Sequence, residues 1–408
     1  VFNTGIFTNI SQDHLDYHKN FKNYLKAKLY LFENLIKKKG NVITDDEIAP
    51  FKKIKRISFN KNLKLYTLNN IKSNFKVLSH FFKNESQILR IKYKNLIEDI
   101  NLKLIGKIQL KNLIMAVIAA EKSGLELRKI LKVIPKLRST EGRFEKIGNI
   151  KNKAKVILDY AHTPDALKVC LLNLREQFPN KKIILLFGCG GNRDQNKRSK
   201  MGKIAAKYSN LIYLTDDNPR FENPDKIRRD IKKGIKNKKV VEISNRATAI
   251  SDAIKNLSTG EILLVAGRGH EKIQDFGKKK INFSDKIKIL KAIKNKNLLL
   301  SNDFKVNIIR ELSNNKKLPI HSSISKARIN SQEVKKNDIF FAIKGKKIDA
   351  NNFVAQAFKK KASLAIVNRI QSSLNKNKQI KIKNSLKLLT DASKIFRKNI
   401  NTKIIGIT

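Results

Sequence analysis

Between Val156 and Ile293 short apolar runs alternate with helix-like stretches. That rhythm restricts the fold more than any other feature of the chain. The runs are "KVILDY", "KIILLFG", "LIYLT", "KVVEI" and "EILLVAG". The stretches between them are 165–177, 199–208, 224–236 and 245–256, and a last one, 284–293, follows the final run. Strands and helices in alternation predict a parallel sheet with covering helices, an α/β architecture. Sheets of that kind bind ligands at the carboxyl ends of their strands. The conspicuous polar segments sit there: "GCGGNRD" after "KIILLF", "TDDNPR" after "LIYL" and "GRGHE" after "EILLVA". Three loops at one sheet edge form a candidate site.

The flanks read differently. "KNYLKAKLYLFENLIKK" has the pattern of an amphipathic helix, and "LKNLIMAVIAAEKSG" is a second helix with Gly124 at its C-terminal cap. Between them "KRISFN" and "ILRIKY" read as short strands. Towards the end, "DIFFAIKG" predicts a buried strand, "NFVAQAFKKKA" a helix and "LAIVN" a strand, with "KIIGIT" as a strand at the terminus.

Composition narrows the function. A chain of 408 residues fits two to four domains at roughly 150 residues each. No apolar run approaches the ~18 residues of a membrane span, and nothing near Val1 resembles a signal peptide. Cys170 and Cys189 make no CxxC pattern, as expected in a reducing cytoplasm. The formal charge of +54 raises nucleic-acid binding as a hypothesis. Against it, lysine is spread evenly beside Asn and Ile, with no arginine-rich patch interleaved with aromatics. Arginine is scarce, and Arg143, Arg193, Arg220 and Arg268 fall inside the motifs. A planar guanidinium is needed where two oxygens are gripped together.

Six motifs in order, "TNISQDHLDYH", "EGRFE", "DYAHTPDAL", "GCGGNRDQNKR", "TDDNPR" and "GRGHE", carry a family resemblance. They resemble the Mur ligases of peptidoglycan synthesis, over residues 1 to about 298. Within that family they are most similar to the branch that adds meso-diaminopimelate to UDP-N-acetylmuramoyl-L-alanyl-D-glutamate. The resemblance implies three-layer parallel-sheet domains. Residues 1–138 would be part of a central ATPase domain, and 139–298 a Rossmann-like C-terminal ligase domain. Residues 299–402 resemble the substrate-binding N-terminal domain of a second ligase of the D-alanyl-D-alanine-adding branch, with 403–408 starting its central domain. No Gly-Lys-Thr or Gly-Lys-Ser phosphate loop is found, so the expectation is a fragment of a bifunctional protein that forms no amide bond alone.

The resemblance also assigns residues. Lys28 would carry a carbamate and, with His14, bind Mg²⁺, a hard ion suited to oxygen ligands. Asn112, Arg143, Asp159 and His162 would meet ATP, with Asp159 accepting from ribose hydroxyls and Arg143 gripping phosphate. Diaminopimelate would be held by Arg193, Asp217, Asn218, Pro219, Arg220, Gly267 and Glu271. The residue types suit an amino-acid head: Arg220 offers a bidentate fork, Asp217 and Asn218 offer acceptors, and Pro219 stiffens the loop. A plain Asx-Pro turn is the alternative. In the last unit Ser331 and Gly345 match a uridine-nucleotide site, although Gln332 stands where the family has arginine. The implied reaction is phosphorylation of the peptide carboxylate by ATP, attack of the diaminopimelate amine on the acyl phosphate, and release of ADP and phosphate. The competing expectations are a binding module without turnover and a basic nucleic-acid-binding protein.

Overall fold

The apolar runs do become strands. The computed structural model describes residues 2–11, 15–68, 75–83, 86–93, 96–300, 306–314 and 326–399. The chain divides into two compact units: Val1–Ile147, Lys155–Ala253 and Glu261–Ile289 in the first, Gly148–Ala154, Ile254–Gly260 and Leu290–Thr408 in the second. The first unit takes in most of the regions expected as 1–138 and 139–298, and residues from Leu290 on cluster with the chain's last part.

The first unit begins with a parallel sheet of β1 (Phe2–Phe7), β2 (Ile36–Thr44) and β3 (Lys64–Thr67). Phe7, Leu25, Leu29, Phe32, Val42 and Ile54 form its core. The helix read over 22–38 runs only from Phe21 to Tyr30, continues as one wider turn over Leu31–Leu35, and becomes β2 at Ile36. "KRISFN" is not a strand but the end of the helix Phe51–Asn60. Its β-branched and aromatic residues looked strand-like, yet Ile54 and Ser58 are buried four apart, which is helical spacing. An antiparallel sheet follows, β4 (Phe75–Lys83), β5 (Ser86–Tyr93) and β6 (Leu96–Leu102). Helix Lys107–Lys122 packs on it through Leu110, Leu113, Ile114 and Val117. Gly124 ends that helix with φ +94°, the left-handed cap expected of it.

The same unit then builds a six-stranded sheet from β7 (Glu145–Lys146), β8 (Lys155–Asp159), β9 (Ile183–Phe187), β10 (Leu211–Leu214), β11 (Val240–Glu242) and β12 (Ile262–Ala266). Its order is β11-β10-β9-β12-β8-β7, parallel except for β7. Ile157, Leu185, Ile212 and Leu264 are fully buried and share one core with Leu167, Leu171, Leu174, Met201, Ala205, Ile227 and Ile231 from three helices, Pro164–Gln177, Asn196–Tyr208 and Pro224–Lys232. Each such leucine, isoleucine or methionine side chain contributes roughly 1.5–3 kcal/mol by leaving water. β12 sits between β8 and β9, so the sheet reverses direction of growth there. A crevice opens above such a reversal, at the strands' carboxyl ends. A short hairpin, β13 (Ile273–Asp275) and β14 (Lys280–Asn282), stands beside it.

The second unit holds a parallel sheet of β15 (Ala327–Arg328), β16 (Ile339–Phe341), β17 (Leu364–Val367) and β18 (Gln379–Lys381). Alternate residues of "IFFA" enter opposite cores. Ile339 and Phe341 meet Ile308, Ile309 and Leu388, whereas Phe340 and Ala342 meet Val354 and Ala357. "KIIGIT" lies outside the described residues. Among the described residues, no helix is long and apolar enough to cross a membrane.

Candidate functional site

The cleft over β8, β9 and β12 has a volume of about 180 Å³ and takes wall residues from four strand-end loops. Tyr160 and His162 follow β8. Gly188, Gly190, Arg193 and Lys197 follow β9, Asp217, Asn218 and Arg220 follow β10, and Gly267 and Glu271 follow β12. Its wall carries three cations (Arg193, Lys197, Arg220) and two carboxylates (Asp217, Glu271).

Glycine makes this assembly possible. A Cβ on Gly188 would lie 2.2 Å from the Thr215 carbonyl oxygen, and one on Gly191 1.9 Å from that of Pro219. The two loops therefore meet main chain against main chain, and Gly191 N–H donates to the Asn218 carbonyl at 2.9 Å. These glycines serve loop packing. Gly267 has φ +113°, and a Cβ there would lie 2.6 Å from Asp217 Oδ2; only glycine lets that carboxylate stand at the cleft wall.

Arg220 has φ +52°, an unfavourable backbone region for a side chain with a Cβ. Hydrogen bonds hold it there. Its N–H donates to the Asp275 carbonyl at 3.0 Å, and Nη1 donates to the Gly191 carbonyl at 2.7 Å. The fork is thereby fixed at the cleft wall by both neighbouring segments. Strain of this kind persists only where surroundings impose it, and it clusters at binding sites. Beneath the cleft lie two buried arginines. Arg246 makes a fork with Asp285 at 2.8 and 2.7 Å. Burial works to lower its pKa, but the Asp285 carboxylate outweighs that and raises it. Arg268 stacks on Phe283 and donates to the Ile273 carbonyl at 2.7 Å. Burial, then the like charge of Arg246, pull its pKa down.

With this geometry in place, the similarities to known proteins have a physical counterpart. The Mur ligase middle domain matches residues 1–120, and the Mur ligase glutamate ligase domain matches residues 142–269. The chain belongs to the Mur ligase family. Among curated relatives, the UDP-N-acetylmuramoyl-L-alanyl-D-glutamate–2,6-diaminopimelate ligase of Rickettsia rickettsii is 39% identical over 293 residues, covering 72% of this chain and 60% of the relative. A ligase of the same name from Clostridium acetobutylicum is 37% identical over 295 residues, covering 72% of this chain and 60% of the relative. A solved structure of a ligase with that name superposes with a TM-score of 0.50 at 30% identity, covering 72% of this chain and 60% of that one. This Mur ligase chain thus spans 60% of the length of these two curated relatives.

The other site residues of the Mur ligase reading are distributed unevenly. Arg143 is exposed, with its guanidinium 4.5 Å from the centre of the Tyr160 ring. His162 Nδ1 is 2.8 Å from the Tyr160 carbonyl, and its ring meets Tyr160 edge-on. Asn112 is exposed on helix Lys107–Lys122. Asp159 is tied into the protein, accepting from the N–H groups of Phe144 and Ala161, both at 2.7 Å, and from the Cys170 thiol at 3.3 Å. Burial raises its pKa, and these bonds work against that rise. Its carboxylate fastens the Gly142–Phe144 turn to β8. Cys170 and Cys189 are both buried thiols, and burial pushes Cys189 up to about 12.

Lys28 is half-buried near the rings of Phe7 and Tyr24, and Nζ donates to the Asn9 carbonyl at 3.4 Å. His14 lies outside the described residues, and His18 packs on Tyr24. As an amine Lys28 offers no ligand oxygen, and the described residues hold no group of three His, Cys, Asp or Glu able to bind a metal. The described residues do not by themselves make a Mg²⁺ site. Pro219 meets the glycine loop through its carbonyl. In the second unit, Ser331 Oγ and Gln356 Oε1 are 2.7 Å apart, and Gly345 sits in a turn with its N–H on the Ile348 carbonyl.

Four wall residues escaped the sequence reading: Tyr160, Gly188, Gly190 and Lys197. Tyr160 follows β8 directly, and its hydroxyl shares a hydrogen bond with Glu271; burial, then the Glu271 charge, raise its pKa. Lys197 stands in the quoted "GCGGNRDQNKR", but nothing distinguishes it from its many lysine neighbours.

Proposed function

We propose that this chain carries the amino-acid-binding end of an ATP-dependent amide-bond ligase, and that its cleft takes meso-diaminopimelate for addition to UDP-N-acetylmuramoyl-L-alanyl-D-glutamate. The observation that carries this reading is the presence of both signs of charge in the wall of one cleft. A zwitterionic amino-acid head needs a cationic grip for its carboxylate and anionic acceptors for its ammonium. Arg220, Arg193 and Lys197 supply the first, and Asp217 and Glu271 the second. The names of the relatives point to the same substrate.

In this reading the peptide carboxylate is phosphorylated by ATP, the free amine of diaminopimelate attacks the acyl phosphate, and ADP and phosphate leave. The chain's own residues hold one amino-acid head so that the other is presented to the acyl group. That is catalysis by orientation. Arg143, His162, Asn112 and Asp159 are proposed to border ATP, and Lys28 with His14 is proposed to complete the phosphoryl-transfer side. Ser331 and Gly345 are proposed for a second ligase's nucleotide.

Calorimetric titration of the 408-residue chain with meso-diaminopimelate tests the cleft. Arg220→Ala is expected to cost roughly 2–5 kcal/mol of binding, as loss of one desolvated charged pair does. Equal affinity for L-lysine, which lacks the second carboxylate, would sink the reading.

A further inference from the structure

Asn218 stands at the cleft wall, but its acceptor is already in use. Oδ1 receives Nη1–H of Arg268 at 2.5 Å and the backbone N–H of Asp275 at 3.0 Å. An amide oxygen has two lone pairs, so both are filled. Both partners are obligate donors, which also fixes which end of the amide is oxygen. Nδ2 must therefore face the other way, and it does: it donates to Glu271 Oε2 at 2.9 Å. Arg268 itself is enclosed. It is fully buried, stacked on Phe283, bonded to the Ile273 carbonyl, and 3.6 Å from the same Glu271 oxygen.

We propose that Arg268 is a positioning residue for recognition of the substrate ammonium. It acts through Asn218, whose amide it orients so that Nδ2 holds Oε2 of Glu271 and, together with the Tyr160 hydroxyl, sets that carboxylate at the cleft wall. Asn218 is in this account a donor to the protein and not an acceptor for the substrate. Without Arg268 only the Asp275 N–H holds Oδ1, so the amide and the Glu271 carboxylate that it carries are held less firmly. The inference rests on the reading of the cleft as a site for an amino-acid head. Arg268 touches no substrate atom.

A double-mutant cycle separates this from a merely structural role, since it measures whether two residues act as one unit. Affinity for meso-diaminopimelate is measured by calorimetry on the 408-residue chain and its Arg268→Lys, Glu271→Gln and doubly substituted forms. Each single change is expected to weaken binding about tenfold, as loss of a hydrogen bond to a charged group does. The double variant is expected to bind within about twofold of Glu271→Gln alone, because with Glu271 gone there is nothing left to position. Losses that multiply, or an Arg268→Lys variant that binds like the wild type, overturn the proposal. Should Arg268→Lys fail to fold, Asn218→Ala replaces it in the same cycle with the same expected outcome. A wild-type chain that binds no meso-diaminopimelate overturns the reading of the cleft, and the proposal with it.

Discussion

Two arginine–carboxylate forks in the first unit have nearly the same geometry in opposite surroundings. On the antiparallel sheet, Arg90 meets Asp99 at 2.7 and 2.8 Å with side chains 46% and 42% exposed. Under the cleft, Arg246 meets Asp285 at 2.8 and 2.7 Å with both side chains at 0%. Water solvates the first pair whether or not it forms. The second pair has left water, and each partner is the other's main compensation. Arg198 repeats the buried arrangement, at 0% exposure on Glu222 and Asp230. In a chain swamped by lysine, the cleft is underpinned by arginine, and its charges are fixed before any ligand arrives.

The largest expected effect comes from breaking each fork from its arginine side. Arg246→Met strands Asp285 and is expected to cost about 3–5 kcal/mol in urea unfolding. Arg90→Met is expected to leave the midpoint unchanged, as exposed pairs do. Equal losses would erase the contrast.

Glycines give a second, smaller comparison. Gly191→Ala pushes a Cβ into the Pro219 carbonyl, 1.9 Å away, and is expected to cost about 2–3 kcal/mol and weaken meso-diaminopimelate binding. Gly124→Ala meets nothing within 4 Å and bears only the strain of φ +94°, about 1 kcal/mol. It is expected to leave ligand binding alone. Unfolding and calorimetry on both variants check the pair, and weakened binding in Gly124→Ala would count against the packing argument.

The smallest effect is a titration. The Arg90 hydrogen bond lowers the pKa of Asp99. For Glu222 burial acts to raise it, but the Arg198 bonds and the Asn192 N–H outweigh this and lower it. A lowered carboxylate pKa contributes stability above its ordinary value, lost as pH falls through the folded-state value. Salt at about 0.5 M should return Asp99 towards an ordinary pKa and leave Glu222 displaced, because buried charges are poorly screened. Carboxyl NMR titrations at two salt concentrations read both, and a Glu222 that relaxes with salt as Asp99 does would remove the distinction.

The sheet and its loops were legible because the period of the apolar residues is a local property. "KIILLFG", "LIYLT" and "EILLVAG" became β9, β10 and β12, and the polar segments behind them meet in one cleft. Where local and long-range demands diverged, the reading failed. "KRISFN" has strand-like residues, but its burial follows the helix Phe51–Asn60. The site was legible as residue types and not as hydrogen-bond directions. Whether Asn218 accepts from a ligand or donates to Glu271 depends on Arg268 and Asp275, far along the chain. Asp159 likewise looked like an open acceptor until Phe144 and Ala161 were seen to bond to it.

The seam between the glycine loop and the Asp217–Arg220 loop is made of main chain: Gly188 on Thr215, Gly191 on Pro219 and on the Asn218 carbonyl. A joint of that kind is indifferent to what its members display. Two side chains add ties to it: Arg220 Nη1 reaches the Gly191 carbonyl, and the Asn218 amide anchors the loop to Arg268 and Asp275. Selection, or an engineer, can rewrite the preferred amino acid only within those ties while the main-chain mount stays seated. The glycines opposite are the one thing the rewriting cannot touch.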